Sequence, residues 1–227
     1  MTTAIAIFGK TPGLSPIKTR LAAGIGTAKA LEFYGLCIEA VRTTVRGLEA
    51  AAFCAVAEEA AVDNPIWRGS SVLYTGEGDL GARQHHIYTT LLADHDRVLL
   101  IGVDTPQLSP SRLEEAVAAL HRNDFVVGPA RDGGYYLFGG RVTLDRSVWT
   151  SVPWSTSTTL ERLEAGLPSA PCRLPMLTDV DRVGDLRHVL SEMPGVLHER
   201  QKRVVEWIVK NAPPPEEGGL ARADGRG

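Results

Sequence analysis

Cysteine is scarce and poorly arranged for crosslinking. Cys37, Cys54 and Cys172 are the only three in 227 residues, an odd number, scattered, each among apolar neighbours. That argues against a disulfide framework or a cysteine zinc site and leaves buried free thiols in a reducing cytoplasm as the expectation. Long hydrophobic runs are missing too: nothing approaches the ~20 residues of a membrane span. "MTTAIAIFGK" has neither the basic start nor the long apolar stretch of a signal peptide. No large excess of one charge exists, since the formal net charge is -3, which argues against nucleic-acid or membrane-surface partners. The G-x-x-x-x-G-K-[ST] phosphate loop is absent, making an ordinary ATPase a poor fit. No serine or cysteine occupies a nucleophile-elbow context. Internal repeats and linkers are absent as well, so one domain over residues 1–211 is expected, with residues 212–227 as a disordered tail lacking an apolar face.

What is present is an ordinary globular composition, 44% hydrophobic and 22% charged, enough for a sizeable core. Apolar runs alternate with helical patterns. "AIAIF" (Ala4 to Phe8) predicts a strand buried on both faces. A helix from Thr27 to about Arg46 follows, with Leu31, Tyr34, Ile38, Val41 and Val45 at helical spacing and Thr27 as its cap. Strands are predicted at Ala51 to Ala57, Ser71 to Thr75 and Arg97 to Gly102, with a helix opened by Asp79 before the last. "SPSRLEEAVAAL" has a serine cap and Pro110 at the first helical position. "FVVGP" and "GYYLFGG" read as neighbouring strands joined by the turn at "RDGG". A short helix after Ser155, an extended segment near "CRLPML" and one or two helices complete the pattern. Strand–helix alternation of this kind predicts a three-layer α/β/α sandwich around a doubly wound, mostly parallel sheet.

Open α/β sheets bind ligands beyond the carboxyl ends of their strands. Four loops leave strands on that rim. "GKTPGLSPIKTRL" carries Lys10, Lys18 and Arg20, while "VDTPQLS" carries Asp104, "ARDGGYY" Asp132, and "TDVD" Asp179 and Asp181. Lysine and arginine take phosphate oxygens by charge-assisted hydrogen bonds. Carboxylates hold a magnesium ion that also coordinates those phosphates. Together they make a consistent device for a nucleotide with its metal, with the first loop as phosphate cradle. Each piece has a plainer reading: a solvated basic loop, an Asp-Pro turn, a hairpin turn at Gly133 and Gly134, and a helix cap at Asp179. Asp94 and Asp96 precede a strand and so belong to the wrong rim. His85 and His86 are adjacent on a helix and point apart, which is poor metal geometry.

The ordered set "FGKTPGLSPIKTRLA", "GDLGARQ", "LLIGVDTPQL", "GPARDGGYYLFGG", "VPWSTSTTLERL" and "LPMLTDVDRVGDL" resembles the bacterial family labelled arsenosugar-biosynthesis or selenium-associated glycosyltransferase. That family is similar to phospholactate guanylyltransferase. The resemblance runs from about Ala4 to Leu186 and implies a nucleotide-diphospho-sugar transferase fold of glycosyltransferase-A type. It further implies that Lys10, Lys18, Thr19 and Arg20 lie on the nucleotide-phosphate loop and that Asp104 is a metal ligand. Asp179 or Asp181 would be the second carboxylate, and Asp132, Gly133 and Gly134 the substrate-side loop. Asp79 and Gly81 would make a nucleotide or acceptor contact. Two departures stand out: Ser15 where the family's first loop usually has glycine, and "DGGYY" where the guanylyltransferases have "DGGTN".

The expected activity is a Mg2+- or Mn2+-dependent, cytoplasmic transferase joining a nucleotide to a small-molecule acceptor. In nucleotidyl transfer from a triphosphate, slightly favoured by the paired cations, Lys18 and Arg20 act on the phosphates. In glycosyl transfer from a nucleoside-diphosphate sugar, Asp132 is the base. A catalytically idle nucleotide-binding regulatory domain is the competitor from another class, and a homo-oligomer stays open.

Overall fold

The computed structural model describes residues 1–213; of the expected tail, residues 214–227 lie outside the described residues. Seven strands form one sheet: β1 (Thr3–Gly9), β2 (Ala51–Val56), β3 (Ser71–Tyr74), β4 (Arg97–Gly102), β5 (Phe125–Pro129), β6 (Tyr135–Gly140) and β7 (Cys172–Arg173). Their spatial order is β3-β2-β1-β4-β6-β5-β7. β6 alone runs antiparallel, to both β4 and β5. Strand order reverses between β1 and β4, whose pairing runs from Thr3 opposite Arg97 to Phe8 opposite Gly102. This is the topological switch point where such sheets bind ligands.

Alternation along the central strands feeds two cores. Ile5 and Ile7 of β1, with Leu99 and Ile101 of β4, pack under the helices α2 (Thr27–Arg46) and α4 (Pro110–Ala119). Ala4, Ala6, Val98 and Leu100 point the other way, under α3 (Leu80–Leu92), α5 (Arg146–Thr150) and α6 (Thr159–Gly166). Each fully buried Ile or Leu contributes about 1.5–3 kcal/mol. Such doubly buried strands read as continuous apolar runs, which is why they were visible in sequence. A third cluster joins α1 (Thr19–Ile25), α7 (Asp185–Ser191) and α8 (Glu199–Asn211) to the outer side of α2, with Phe33 and Trp207 rings 4.9 Å apart.

Several details differ from the expected pattern. Thr27 does not cap α2; Gly26 does, at φ 87, serving also as the C-cap of α1. Glycine meets no steric cost in that left-handed backbone, so two helices can meet with one residue between them. Leu31, expected on the apolar face of α2, is exposed, whereas Tyr34, Ile38, Val41 and Val45 are buried. The extended segment near "CRLPML" forms only a two-residue strand plus an isolated bridge between Ala130 and Leu177. Asp79 and Ser109 do cap their helices, accepting from Ala82 N and Arg112 N.

Candidate active site

A cleft of about 730 Å3 opens above the carboxyl ends of β1, β2 and β4. Its walls come from the first loop (Lys10, Ser15 to Thr19), the β4 loop (Val103, Asp104) and Asp179 and Asp181, with Gly78, Leu80, Arg83 and Ser155 opposite.

The first loop is held by buried polar anchors. Tyr34 on α2 accepts a hydrogen bond from Lys10 N (2.8 Å) and donates one to Lys10 O (2.9 Å). Burial raises the Tyr34 phenol, so the hydroxyl stays neutral and can play both parts. Thr11 N donates to Glu58 (3.0 Å), and Trp67 Nε1 donates to the Thr11 hydroxyl (2.9 Å). Gly13, at φ 88, makes the tight turn. Ser15 is not among the left-handed residues, so the serine found where the resembled family has glycine meets no backbone strain. The unusual position is Lys18, a non-glycine residue at φ 49 that begins α1.

That backbone turn sends the Lys18 side chain inward. Its ammonium lies 2.8 Å from Asp104 Oδ1 and donates to Val180 O, with the side chain only 6% exposed against 32% for Asp104. Burial alone would lower the Lys18 pKa; the charges of Asp104 and Asp179 outweigh it, and the net shift is upward. Asp104 Oδ1 is buried with the Lys18 ammonium as its partner, while the Asp104 side chain as a whole keeps one-third of its surface open. Asp179 lines the same cleft. Desolvation, and then the charge of Asp104, push it up to about 7, with Lys18 pulling the other way. Lys18 thus pairs with Asp104 directly and acts on Asp179 through its charge. Val180 N donates to Asp104 O (3.1 Å), fixing the β4 and "TDVD" loops to each other.

A divalent cation fits this donor set. Asp104 keeps one-third of its side chain open beside the cleft, and Asp179 carries an unfavourable charge that a cation would relieve. Among the described residues no three His, Cys, Asp or Glu side chains are grouped to hold an ion by themselves. Phosphate oxygens and water would complete the shell, the usual habit of magnesium.

The other expected residues take varied places. Arg20 and Asp181 form an exposed ion pair at the rim, NH1 to Oδ2 2.8 Å. Thr19 lines the cleft as the first residue of α1. Asp132 stands beyond the cleft wall, yet its charge reaches both Arg20 and Asp179. Its Oδ1 accepts from Gly134 N (2.9 Å), closing the hairpin turn. Gly133, at φ 89, lies so close to Ser157 that a Cβ would sit 2.0 Å from Ser157 O. Asp79 caps α3, and Gly81 packs on Trp149 and Trp154, where a Cβ would sit 2.3 Å from Trp149 O. The structure therefore brings Lys18, Asp104 and Asp179 together, with Lys10, Thr19, Arg20 and Asp181 around them. Gly81, Asp79, Gly133 and Gly134 shape the walls from behind.

Asp179 is not the helix cap. Asp185 accepts from Asp181 N (2.9 Å) and Arg182 N (2.6 Å) and makes that turn instead. Asp96 accepts from Thr2 N at the opposite rim of the sheet. His85 and His86 line a separate hollow of about 400 Å3 with Glu77 and Arg146. Arg83 reaches from α3 into the cleft wall, donating to Ala57 O (2.7 Å) and Gly78 O (3.0 Å). Nothing in its sequence context distinguishes it from a surface arginine on a helix.

A mostly parallel seven-stranded sheet covered on both faces, with its cleft at the switch point, defines the nucleotide-diphospho-sugar transferase and cytidylyltransferase class of fold. Within it, the chain belongs to the family described as "Uncharacterized protein conserved in bacteria (DUF2064)", which matches residues 39–156. No curated protein matches it. Among solved structures it is similar to a protein from Desulfovibrio desulfuricans G20 described as a "putative nucleotide-diphospho-sugar transferase". That pair is 26% identical, with TM-score 0.79 over 93% of this chain and 99% of the other. The fold is shared with CMP:2-keto-3-deoxy-manno-octonic acid synthetase complexed with CTP (14% identity, TM-score 0.53, 83% and 97% covered). A cytidylyltransferase from Leptospira borgpetersenii also shares it (16%, 0.51, 93% and 95%).

Proposed function

We propose that this protein is a divalent-cation-dependent transferase that binds a nucleotide in the cleft and joins part of it to a small-molecule acceptor. The observation that carries this reading is the buried Lys18 ammonium paired with Asp104, with the charge of Asp179 beside it, at the switch point. A lysine that merely solvates a surface does not sit 6% exposed in a left-handed backbone. Cation and carboxylates on adjoining loops suit a phosphate chain and its counter-ion together.

The favoured chemistry is nucleotidyl transfer from a triphosphate to a phosphorylated acceptor. An acceptor phosphate oxygen attacks the α-phosphorus, the bond to the bridging oxygen breaks, and the electron pair leaves with pyrophosphate. Lys18, held permanently charged by its carboxylates, neutralises oxygens of the phosphorus being attacked. Arg20, exchanging Asp181 for phosphate, takes charge developing on the leaving group. A bound cation, held by Asp104 and Asp179, would supply further neutralisation of the phosphate oxygens. Asp132, at the hairpin turn beyond the cleft wall, is assigned to the acceptor side.

One observation favours a second reading, glycosyl transfer from a nucleoside-diphosphate sugar: the description of the Desulfovibrio protein, similar over nearly its whole length. Membership of the arsenosugar-biosynthesis or selenium-associated group, and with it this chemistry, is part of that reading. Thermal shift against the nucleoside triphosphates and a panel of nucleotide sugars, with and without magnesium, separates the cases. A ligand at 100 times its Kd stabilises the native state by about 2.7 kcal/mol. Magnesium-dependent stabilisation by one triphosphate, lost in Asp104→Ala, and pyrophosphate release with an acceptor support nucleotidyl transfer. Stabilisation by nucleotide sugars alone supports the glycosyl reading. No response to any nucleotide refutes both.

A further inference from the structure

Outside the cleft, one carboxylate touches all three acid-bearing loops. Glu192, at the C-cap of α7, has a side chain 11% exposed and does not line the cleft. It accepts four hydrogen bonds: Thr178 N (2.7 Å), Gln107 Nε2 (3.0 Å), Thr178 Oγ1 (2.9 Å) and Arg131 Nε (3.0 Å). Thr178 precedes Asp179, Arg131 precedes Asp132, and Gln107 belongs to the loop of Asp104. Cross-bonds complete the knot. Gln107 Nε2 also donates to Thr178 O (2.7 Å) and Arg131 Nε to Thr178 Oγ1 (3.0 Å), while Arg131 N donates to Leu177 O (3.1 Å).

We infer that Glu192 is a positioning residue for the cation and nucleotide site, the one carboxylate outside the cleft that bonds to all three loops carrying Asp104, Asp132 and Asp179 and, with their cross-bonds, sets their spacing. The inference deepens the function proposed above and rests on it for its consequence in binding, though not for its structural content. Four donors fill both carboxylate oxygens, and only an ionised carboxylate can accept them all; an amide has just one acceptor atom. Two carboxylates held near each other with little freedom are what a cation with demanding geometry needs, because misplacement of a ligand is not recovered by a rigid shell.

Glu192→Gln keeps the shape but turns an NH2 group toward donors on one side of the knot. Hydrogen exchange on the protein without ligand is expected to accelerate at least tenfold in residues 103–108, 130–133 and 177–181 together, with β1 and β4 unchanged. In parallel, the magnesium concentration giving half-maximal nucleotide binding is expected to rise about tenfold, more than the magnesium-free nucleotide affinity changes. A general loss of stability would not produce that split. Glu192→Asp is the companion variant if Glu192→Gln does not fold: it keeps the charge but shortens the reach, so it should loosen 103–108, 130–133 and 177–181 together, whereas Gln107→Met, which removes the bonds to Glu192 and to Thr178 O, should spare 130–133. Exchange confined to α7, or unchanged in the loops, overturns the inference, as does an unaltered magnesium requirement in a wild type that binds nucleotide. If the wild type binds none, the proposed function fails, while the exchange pattern still decides the role of Glu192.

Discussion

Lys18 Nζ and Asp104 Oδ1 stand 2.8 Å apart across the junction of the β1 and β4 loops, and this contact links the fold to the chemistry of the cleft. Removing one partner of a fully buried pair costs about 3–5 kcal/mol because the other charge is left unmatched. Asp104 is one-third open and Asp179 can take up a proton, so the loss here is smaller. Lys18→Met is expected to destabilise the protein by about 1–3 kcal/mol in urea unfolding. It should abolish nucleotide-induced stabilisation as well. A fully stable Lys18→Met protein would mean that the ion pair contributes nothing to the fold.

The raised Asp179 gives a pH signature with a definite sign. Its pKa rises from 3.8 to about 7 on folding, mainly through burial and secondly through Asp104. Between those values the folded state binds more protons than the unfolded state, so this group's contribution to stability falls as pH rises. The limiting slope is about 1.4 kcal/mol per pH unit for one proton. Subtracting the stability–pH curve of Asp179→Asn from that of the wild type isolates the effect. The difference should grow in favour of the variant from about pH 4 to pH 7 and then level off. A divalent cation, favouring the ionised carboxylate, should shrink it. A flat difference would show that Asp179 ionises normally.

Much of this site was legible because a doubly wound sheet announces its own rim. Apolar runs such as "RVLLIG" end where polar loops begin, and each of those loops carried a charged residue worth weighing. Asp104 and Asp179 could be shortlisted that way. What could not be read was anything set by a partner remote in sequence. Tyr34 has the spacing of a core residue on α2, and only the fold shows its hydroxyl gripping Lys10. Glu192 lies in "SEMPG", which has no motif, and its four donors come from three distant loops. The helix α1 gives no clear sequence signal, because "TRLAAGI" is short, contains Gly24 and starts from a left-handed lysine.

Tyr34→Phe tests the grip on the first loop. The substitution removes one donor and one acceptor, leaving Lys10 N and Lys10 O to find water. Because Lys10 is exposed and its backbone groups can turn to water, a cost of about 0.5–1.5 kcal/mol is expected. Nucleotide affinity should weaken several-fold, while the magnesium dependence stays as in the wild type, because Asp104 and Asp179 are held by other contacts. Isothermal titration with and without magnesium reads both quantities.

Gly133→Ala tests the wall behind the acceptor side. The residue combines φ 89 with a would-be Cβ 2.0 Å from Ser157 O, and its carbonyl accepts from Leu160 N (2.9 Å). Left-handed strain alone costs about 1–2 kcal/mol. The clash is with backbone, so the segment from Ser155 to Thr159 must move as well, and a total loss above about 3 kcal/mol is expected. A thermal melt within a degree of the wild type would show that this segment yields freely.

Ser155 presents the opposite case, a serine in a backbone that suits glycine, at φ 62 and facing the cleft. Strain at a functional position persists where the side chain is useful. Ser155→Gly should relieve about 1 kcal/mol of left-handed strain, partly offset by the freer unfolded chain. If the hydroxyl contacts nucleotide or acceptor, the same variant binds more weakly while being no less stable. Urea unfolding paired with titration of the stabilising nucleotide reads both effects. Unchanged affinity would leave Ser155 without a binding role and make its strain a property of the "PWSTS" turn alone.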